Sequence, residues 1–272
     1  MAVLNHRIIP VEDPDDARIA LFKVRDRALN TRADRREQTA AGLFLAEGDL
    51  VVARALDAGC TPVTAFCDID DPPAVVDRFG DDVTVYGGRR EVRSEGMGLG
   101  VPLSIVALFL RPTPLPESAL IDCGRLVAIE AVDNPVNVGT VVRSAVALGW
   151  DGLLLDRTSA DPLARRALRV SMGNTFVLPF ARTDSLLDVV RAARTRDTLV
   201  VALTPADDAV ALDTLRPAAD QRVLLLLGSE RAGLSAELLA AASVRAAIPM
   251  QPGVDSLNAA AAAAIACYQL RR

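Results

Sequence analysis

Three short segments hold the side chains whose types and spacing could do chemistry. The first is Asn137-Val138-Gly139-Thr140-Val141-Val142-Arg143. Arginine presents a planar fork of donors that fits a phosphate, and glycine admits another group close to the backbone. Asparagine near a helix start can cap that helix or hold a neighbouring loop. Taken alone, this segment reads equally as a capped helix with one surface arginine. The second segment, Gly228-Ser229-Glu230-Arg231-Ala232-Gly233-Leu234-Ser235, sets an acidic residue between two glycines. Ser235 then opens a helix, with Leu238 where a full capping box would place Glu or Gln. The third, residues 249–258, could wrap an amphipathic ligand in backbone amides and carbonyls, with Met250 and Leu257 as apolar walls. His6 is the single histidine and is remote in sequence from all three segments, which argues against a histidine base.

Each segment follows or borders a short apolar run. Strands are expected at residues 126–130, 152–155, 176–179, 199–203, 223–227 and 244–248, and helices at 140–148, 162–170, 185–194, 236–242 and 257–270. Unbroken apolar strands joined by helices imply a parallel sheet covered on both faces, with ligands bound beyond the carboxyl ends of its strands. The alanine run 259–264 reads as a tightly packed helix, since alanine is both small and the best helix former. Upstream, Pro112, Pro114 and Pro116 mark residues 111–118 as a linker. Residues 1–110 read as a small α/β domain, with strands at 43–46, 63–67, 83–86 and 105–110 and helices at 16–29 and 49–58. Residues 119–272 form the larger α/β domain.

The chain has 272 residues, of which 51% are hydrophobic and 24% charged, enough to bury a core. Net charge is −5, which excludes a protein that coats nucleic acid through a global basic field. A local basic stretch carries Arg18, Lys23, Arg25, Arg27, Arg32, Arg35 and Arg36 against Asp26 and Asp34; it reads as a solvated helix face or as a phosphate contact. Aromatic residues make up 4%, so base-stacking platforms contribute little. Cys60, Cys67, Cys123 and Cys267 form no C-x-x-C pair and do not adjoin His6, so neither a metal site nor a disulfide scaffold is expected. No signal pattern opens the chain and no apolar run reaches membrane-spanning length, so the expectation is a cytoplasmic protein with reduced thiols.

The order and content of the three segments resemble the SpoU (TrmH) family of RNA ribose methyltransferases, within the SPOUT superfamily. The first family motif, Asn-x-Gly-x-x-x-Arg-x-Ala, is matched by Asn137, Gly139, Arg143 and Ala145. The second, Gly-x-Glu-x-x-Gly-Leu, is matched by Gly228, Glu230, Gly233 and Leu234, and the third by Ile248-Pro249-Met250 and Ser256-Leu257-Asn258. Ser171-Met172-Gly173 is similar to a further family feature, and Leu43-Phe44-Leu45-Ala46-Glu47-Gly48 resembles part of the family's substrate-binding domain. The chain departs from the pattern at Ala259-Ala260, where Val-Ser is common, and at Arg231, where small residues or lysine are common.

The resemblance implies a deep trefoil knot in the C-terminal domain and a homodimer whose site takes residues from both subunits. It implies S-adenosylmethionine as cofactor, bound at Leu203, Thr204, Gly228, Ile248, Met250, Ser256 and Leu257. The reaction it implies is methyl transfer to a ribose 2′-oxygen of structured RNA, with Arg143, Asn137, Glu230 and Asn258 as catalytic residues. Arginine is a poor literal base, because its pKa exceeds about 12. Arg143 is therefore expected to bind the adjacent phosphate and stabilise developing alkoxide, with the other three orienting it and the loops. The additional N-terminal domain favours ribosomal RNA over tRNA. Two other readings are a nucleotide-binding oxidoreductase and a non-catalytic RNA-binding protein. The first lacks a Gly-x-Gly-x-x-Gly turn after residues 126–130, and Gly96-x-Gly98-x-Gly100 opens no helix. Retention of Arg143 and Ser256-Leu257-Asn258 argues against the second.

Overall fold

The structure is a computed structural model that describes residues 8–30, 42–97, 102–251, 253–254 and 256–272. His6, Arg32, Asp34, Arg35, Arg36, Gly98 and Gly100 lie outside the described residues, as do Pro252 and Asp255 of the third segment. Two compact units form: Met1–Thr113 with Leu163–Phe176, and Pro114–Pro162 with Val177–Arg272.

In the first unit, β1 (Ile9–Pro10), β2 (Leu43–Glu47), β3 (Pro62–Asp68), β4 (Thr84–Gly88) and β5 (Ile105–Leu110) build one sheet in the order β1-β4-β3-β5-β2. β1, β4 and β3 run parallel, while β5 is antiparallel to both β3 and β2. One face buries Phe22, Leu45, Phe66, Val106 and Leu108. On the other, Phe44 stacks on Phe109 with centroids 5.3 Å apart. The helix expected over 16–29 is instead a 3-10 turn (Ala17–Ile19), α1 (Ala20–Lys23) and α2 (Asp26–Leu29). Val24 and Arg25 are extended, and Val24 packs on the core, so tertiary packing overrides the helical spacing there. α3 (Asp49–Asp57), α4 (Arg90–Gly96) and a later segment, the helix Arg165–Val170, complete the unit.

The second unit holds seven strands: β6 (Arg125–Ile129), β7 (Gly152–Leu155), β8 (Phe180–Arg182), β9 (Leu199–Leu203), β10 (Val210–Ala211), β11 (Val223–Leu227) and β12 (Val244–Ala247). Their order is β10-β12-β9-β11-β6-β7-β8, and every neighbouring pair is parallel. Successive residues of each strand point to opposite faces, so both faces need an apolar cover. Val127, Ile129, Val201, Leu225 and Leu227 face one layer, with α5 (Pro135–Ala147) and α8 (Ala259–Gln269). Leu126, Ala128, Val200, Leu224 and Leu226 face the other, with α6 (Leu186–Arg194) and α7 (Ala236–Ala241). Ala260, Ala263, Ala266 and Cys267 bury the small-residue face of α8 in the same cluster as Val138, Val141, Val142 and Ala145 of α5.

The strand expected at 176–179 starts four residues further on, at Phe180–Arg182, after a 3-10 turn at Asn174–Phe176. The apolar run serves two cores: Phe176 packs 5.6 Å from Phe44 in the first unit, while Leu178 is buried in the second. At the amino edge of the larger sheet, the Arg125 side chain is buried and donates to the carbonyls of Leu270 (2.7 Å), Gly124 (3.0 Å) and Gln221. Trp150 donates through Nε1 to the Cys267 carbonyl (3.1 Å), so both residues fasten the end of α8.

Strand register positions the functional loops. Leu226 of β11 pairs with Ala128 of β6 and Ala202 of β9, and Leu203 pairs with Ala246 of β12. The carboxyl ends of these four strands therefore finish side by side, and the chain leaves each of them at one edge.

Candidate active site

α5 begins at Pro135, five residues before the expected start, with Asn134 as its cap: the Asn134 side chain accepts from the Val136 amide at 2.9 Å. Proline suits a first helical position because its missing N–H would have no partner there. Asn137 and Gly139 are thus inside the helix and buried. Freed from capping, Asn137 donates through Nδ2 to Glu230 Oε1 at 3.0 Å. Its Oδ1 accepts from Asn258 Nδ2 at 3.2 Å, and Asn258 Nδ2 also donates to Glu230 Oε1. Asn258 caps α8 through Oδ1, which accepts from Ala260 N (3.0 Å) and Ala261 N (3.3 Å). Glu230 Oε1 accepts once more, from Ala259 N at 3.3 Å. One carboxylate oxygen thus takes three donors beside a helix N-terminus, where negative charge is favoured. The three sequence segments meet in this latch.

The two glycines of the second segment have different physical causes. A Cβ on Gly228 would sit 2.1 Å from the Gly233 carbonyl carbon and 2.3 Å from Leu234 N, so only glycine lets the turn close. Gly233 has φ +68 and donates from its amide to the Ser229 carbonyl at 3.0 Å. Glu130, read in sequence only as a strand end, accepts from Ser235 N through Oε2 at 2.7 Å and fixes where that loop enters α7. Ser235 caps α7, accepting from Leu238 N at 3.4 Å. Thr204 turns the chain after β9: its amide donates to the Ala246 carbonyl (2.9 Å) and its Oγ1 accepts from Ala206 N (3.4 Å).

Between these loops lies a cavity of about 440 Å³. Leu203, Thr204, Gly228, Ile248, Met250, Ser256 and Leu257 all line it, as does Glu230. Sequence reasoning missed Pro205, Ala206 and Leu239, which also line it. Asn137 and Asn258 adjoin it through Glu230. Arg231 is exposed and lines the cavity. Arg143 is not brought there: it is exposed on α5 and does not line the cavity.

A second polar cluster supports the first loop from behind. Ala131 has φ +53, uncommon for a residue with a Cβ, and its amide donates to Asp156 Oδ1 at 3.1 Å. Burial pushes the Asp156 carboxyl up, but donors from Ser159, Thr158 and the Ala131 amide together outweigh it and hold its pKa below 3.8. Burial pushes the Cys67 and Cys267 thiols up to about 12, which makes them inert packing groups. Among the described residues, no cluster of His, Cys, Asp or Glu is arranged to hold a metal, and no helix is long and apolar enough to cross a membrane.

The model of the SpoU rRNA methylase family matches residues 124–268, more than half of the chain. The chain belongs to that family. Similarity to individual members extends over nearly its whole length. An uncharacterized tRNA/rRNA methyltransferase of Mycobacterium bovis is 35% identical, covering 96% of this chain and 90% of the relative. A 23S rRNA (guanosine(2553)-2′-O)-methyltransferase of Bacillus subtilis is 27% identical, covering 92% and 96%. Among solved structures, an AdoMet-bound rRNA methyltransferase from Sinorhizobium meliloti superposes with a TM-score of 0.79 at 28% identity, covering 96% of this chain and 97% of that one. The SpoU methyltransferase AviRb from Streptomyces viridochromogenes, in complex with AdoMet, gives 0.75 at 26% identity, covering 93% and 96%.

Proposed function

We propose that this protein is an S-adenosylmethionine-dependent methyltransferase acting on a ribose 2′-hydroxyl of ribosomal RNA. One observation carries the reading: seven loop residues from β9, β11, β12 and the start of α8 line a single cavity, and its edge is held by the Asn137–Glu230–Asn258 latch. The cavity fits the cofactor. Its volume is within the range of small-molecule sites, and its walls combine apolar Ile248, Met250 and Leu257 with the backbone of Gly228 and Thr204. Bound there, S-adenosylmethionine supplies an electrophilic methyl group. Leu203, Thr204, Gly228, Ile248, Met250, Ser256 and Leu257 hold it, and the latch keeps the two loops at a fixed spacing.

The ribose oxygen must lose its proton as the new O–C bond forms and the methyl–sulfonium bond breaks, with S-adenosylhomocysteine as the leaving group. Arg143 binds the adjacent phosphate and stabilises the charge that develops on that oxygen, while water takes the proton. Its position outside the cavity lining suits an active site completed by a second subunit. Ala261, Ile265 and Tyr268 are exposed along one face of α8, at the spacing of a helical stripe, as a homodimer interface requires. The deep trefoil knot that the resemblance implies belongs to the same reading, as does a cytoplasmic location.

The full-length relative named for 23S rRNA favours ribosomal RNA over tRNA. Mapping ribose methylation across total RNA with and without the protein identifies the nucleotide. Arg143→Ala tests the mechanism. Removing a preorganised charge stabiliser lowers the transfer rate by about 10²- to 10³-fold, with cofactor affinity by calorimetry unchanged. Methyl transfer at the wild-type rate in that variant would remove Arg143 from the mechanism.

A further inference from the structure

Within the first unit, arginines gather around two acidic residues. Glu47, at the end of β2, is buried and ion-paired with Arg165, whose Nε lies 2.7 Å from Oε1. Arg165 is further held by the carbonyls of Phe22 (3.4 Å) and Met97 (3.0 Å). The Arg169 guanidinium stands 3.7 Å from the other carboxylate oxygen of Glu47 and is half exposed. Asp26 accepts from the Arg165 backbone amide at 3.3 Å, which brings α2 against the first turn of the helix Arg165–Val170. Arg25 and Arg27 flank Asp26, and Arg166 follows Arg165. All three are exposed, and their guanidiniums have neither an ion pair nor a hydrogen bond among the described residues.

The two acids are thus spent inside the unit, Arg169 keeps only a 3.7 Å ion pair to Glu47, and Arg25, Arg27 and Arg166 have no partner among the described residues. Desolvating Glu47 is costly unless it is paired, and Arg165 provides that pairing without using Arg25, Arg27 or Arg166. In a chain of net charge −5, such a surplus is local. Planar guanidinium forks match phosphate oxygens in two-point contacts. A flexible acidic peptide would gain less from a rigid set of forks than a regularly spaced phosphodiester backbone does.

We infer that Arg25, Arg27, Arg166 and Arg169 form a grip for the phosphodiester backbone of the RNA substrate. The inference rests on the methyltransferase reading and extends it to a surface outside the cofactor cavity. The grip positions RNA without reading its bases, so it sets affinity and KM and leaves the chemical step alone.

The test compares wild type with the triple variants Arg25→Gln/Arg27→Gln/Arg166→Gln and Arg25→Lys/Arg27→Lys/Arg166→Lys. The probes are unmodified 23S rRNA transcript in salt titrations and S-adenosylmethionine in calorimetry. Three lost phosphate contacts lower the slope of log affinity against log salt by about 2 to 3, which is a loss of about 100-fold at 0.15 M salt that fades near 1 M. KM for RNA rises, kcat at saturating RNA holds, and cofactor affinity is unchanged. The lysine variant keeps the slope, because charge is conserved. A glutamine variant with the wild-type slope and KM overturns the grip while leaving the methyltransferase reading intact. Equal loss in the lysine variant overturns it too, by making the arginines structural. A wild type that neither binds nor methylates the RNA refutes the methyltransferase reading and the grip with it.

Discussion

The latch makes a quantitative demand that a double-mutant cycle can meet. Asn137→Ala removes two hydrogen bonds from a buried side chain: the one donated to Glu230 at 3.0 Å and the one accepted from Asn258 at 3.2 Å. A neutral bond contributes about 1 kcal/mol net and one to a carboxylate about 1.5 to 3, at the low end here because Glu230 is exposed. The expected cost is roughly 2.5 kcal/mol. Asn258→Ala removes the same shared bond, its own bond to Glu230 and the α8 cap on Ala260 and Ala261, the cap alone contributing about 1 kcal/mol. Its cost is roughly 3.5 kcal/mol. The 3.2 Å bond can be lost only once, so the double variant falls short of additivity by about 1 kcal/mol. Urea unfolding of the four proteins measures this. S-adenosylmethionine titration should show the same shortfall, because the latch sets the spacing of the cavity walls. Additivity within about 0.3 kcal/mol would mean the two amides act independently, and the latch would be no more than a helix cap beside a surface glutamate.

Two further outcomes follow from local geometry and titration. In Gly228→Ala, the new Cβ meets backbone at 2.1 Å, so the loop must open by about 1 Å; overpacking of this kind costs about 1 to 3 kcal/mol. Calorimetry should show cofactor affinity down at least tenfold, and unchanged affinity would mean the turn is looser than its contacts require. Asp156 has a folded pKa below its unfolded 3.8, so it contributes stability above pH 3.8 that is lost as pH falls through 3.8 towards the folded value. The urea midpoint of Asp156→Asn should therefore fall less than that of wild type between pH 5 and pH 2; parallel curves would show that the carboxylate is not coupled to folding.

Strands whose whole length lies within one unit were legible in sequence. β9 and β11 occupy the expected 199–203 and 223–227, because both faces of each are apolar and turn residues bound them. Misreadings arose where one stretch answers to two demands. Residues 176–179 look like a strand because Phe176 and Leu178 both face apolar surroundings, yet Phe176 is half-buried against Phe44 in the first unit and Leu178 is buried in the second. Val24 sits in helical spacing but is extended to reach the core. Glu130 carries no sequence signal, since its donor, the Ser235 amide, is brought close only by strand register; Asp156 takes donors from its own neighbours Thr158 and Ser159, and its bond from the Ala131 amide needs the fold. The missed helix start did have a signal: the proline in Asn134-Pro135 marks a first helical position.

That earlier start changes what the first motif means. With Asn134 as cap, Asn137 and Arg143 both lie inside α5, six residues apart. At 3.6 residues per turn, six residues are about one and two-thirds turns and roughly 9 Å along the axis, so the two side chains leave different faces. Asn137 is buried against Glu230, and Arg143 is exposed. A motif contiguous in sequence is thus two instruments on one rigid rod. Its first residue holds the cavity edge, and its last is exposed and outside the cavity lining. Rigidity links them, because Val138, Val141 and Val142 between them are buried in the core. Losing Asn137 should therefore weaken cofactor binding, and losing Arg143 should slow transfer to RNA by about 10²- to 10³-fold without that effect. The spacing Asn-x-Gly-x-x-x-Arg keeps the two tasks apart while fixing their distance.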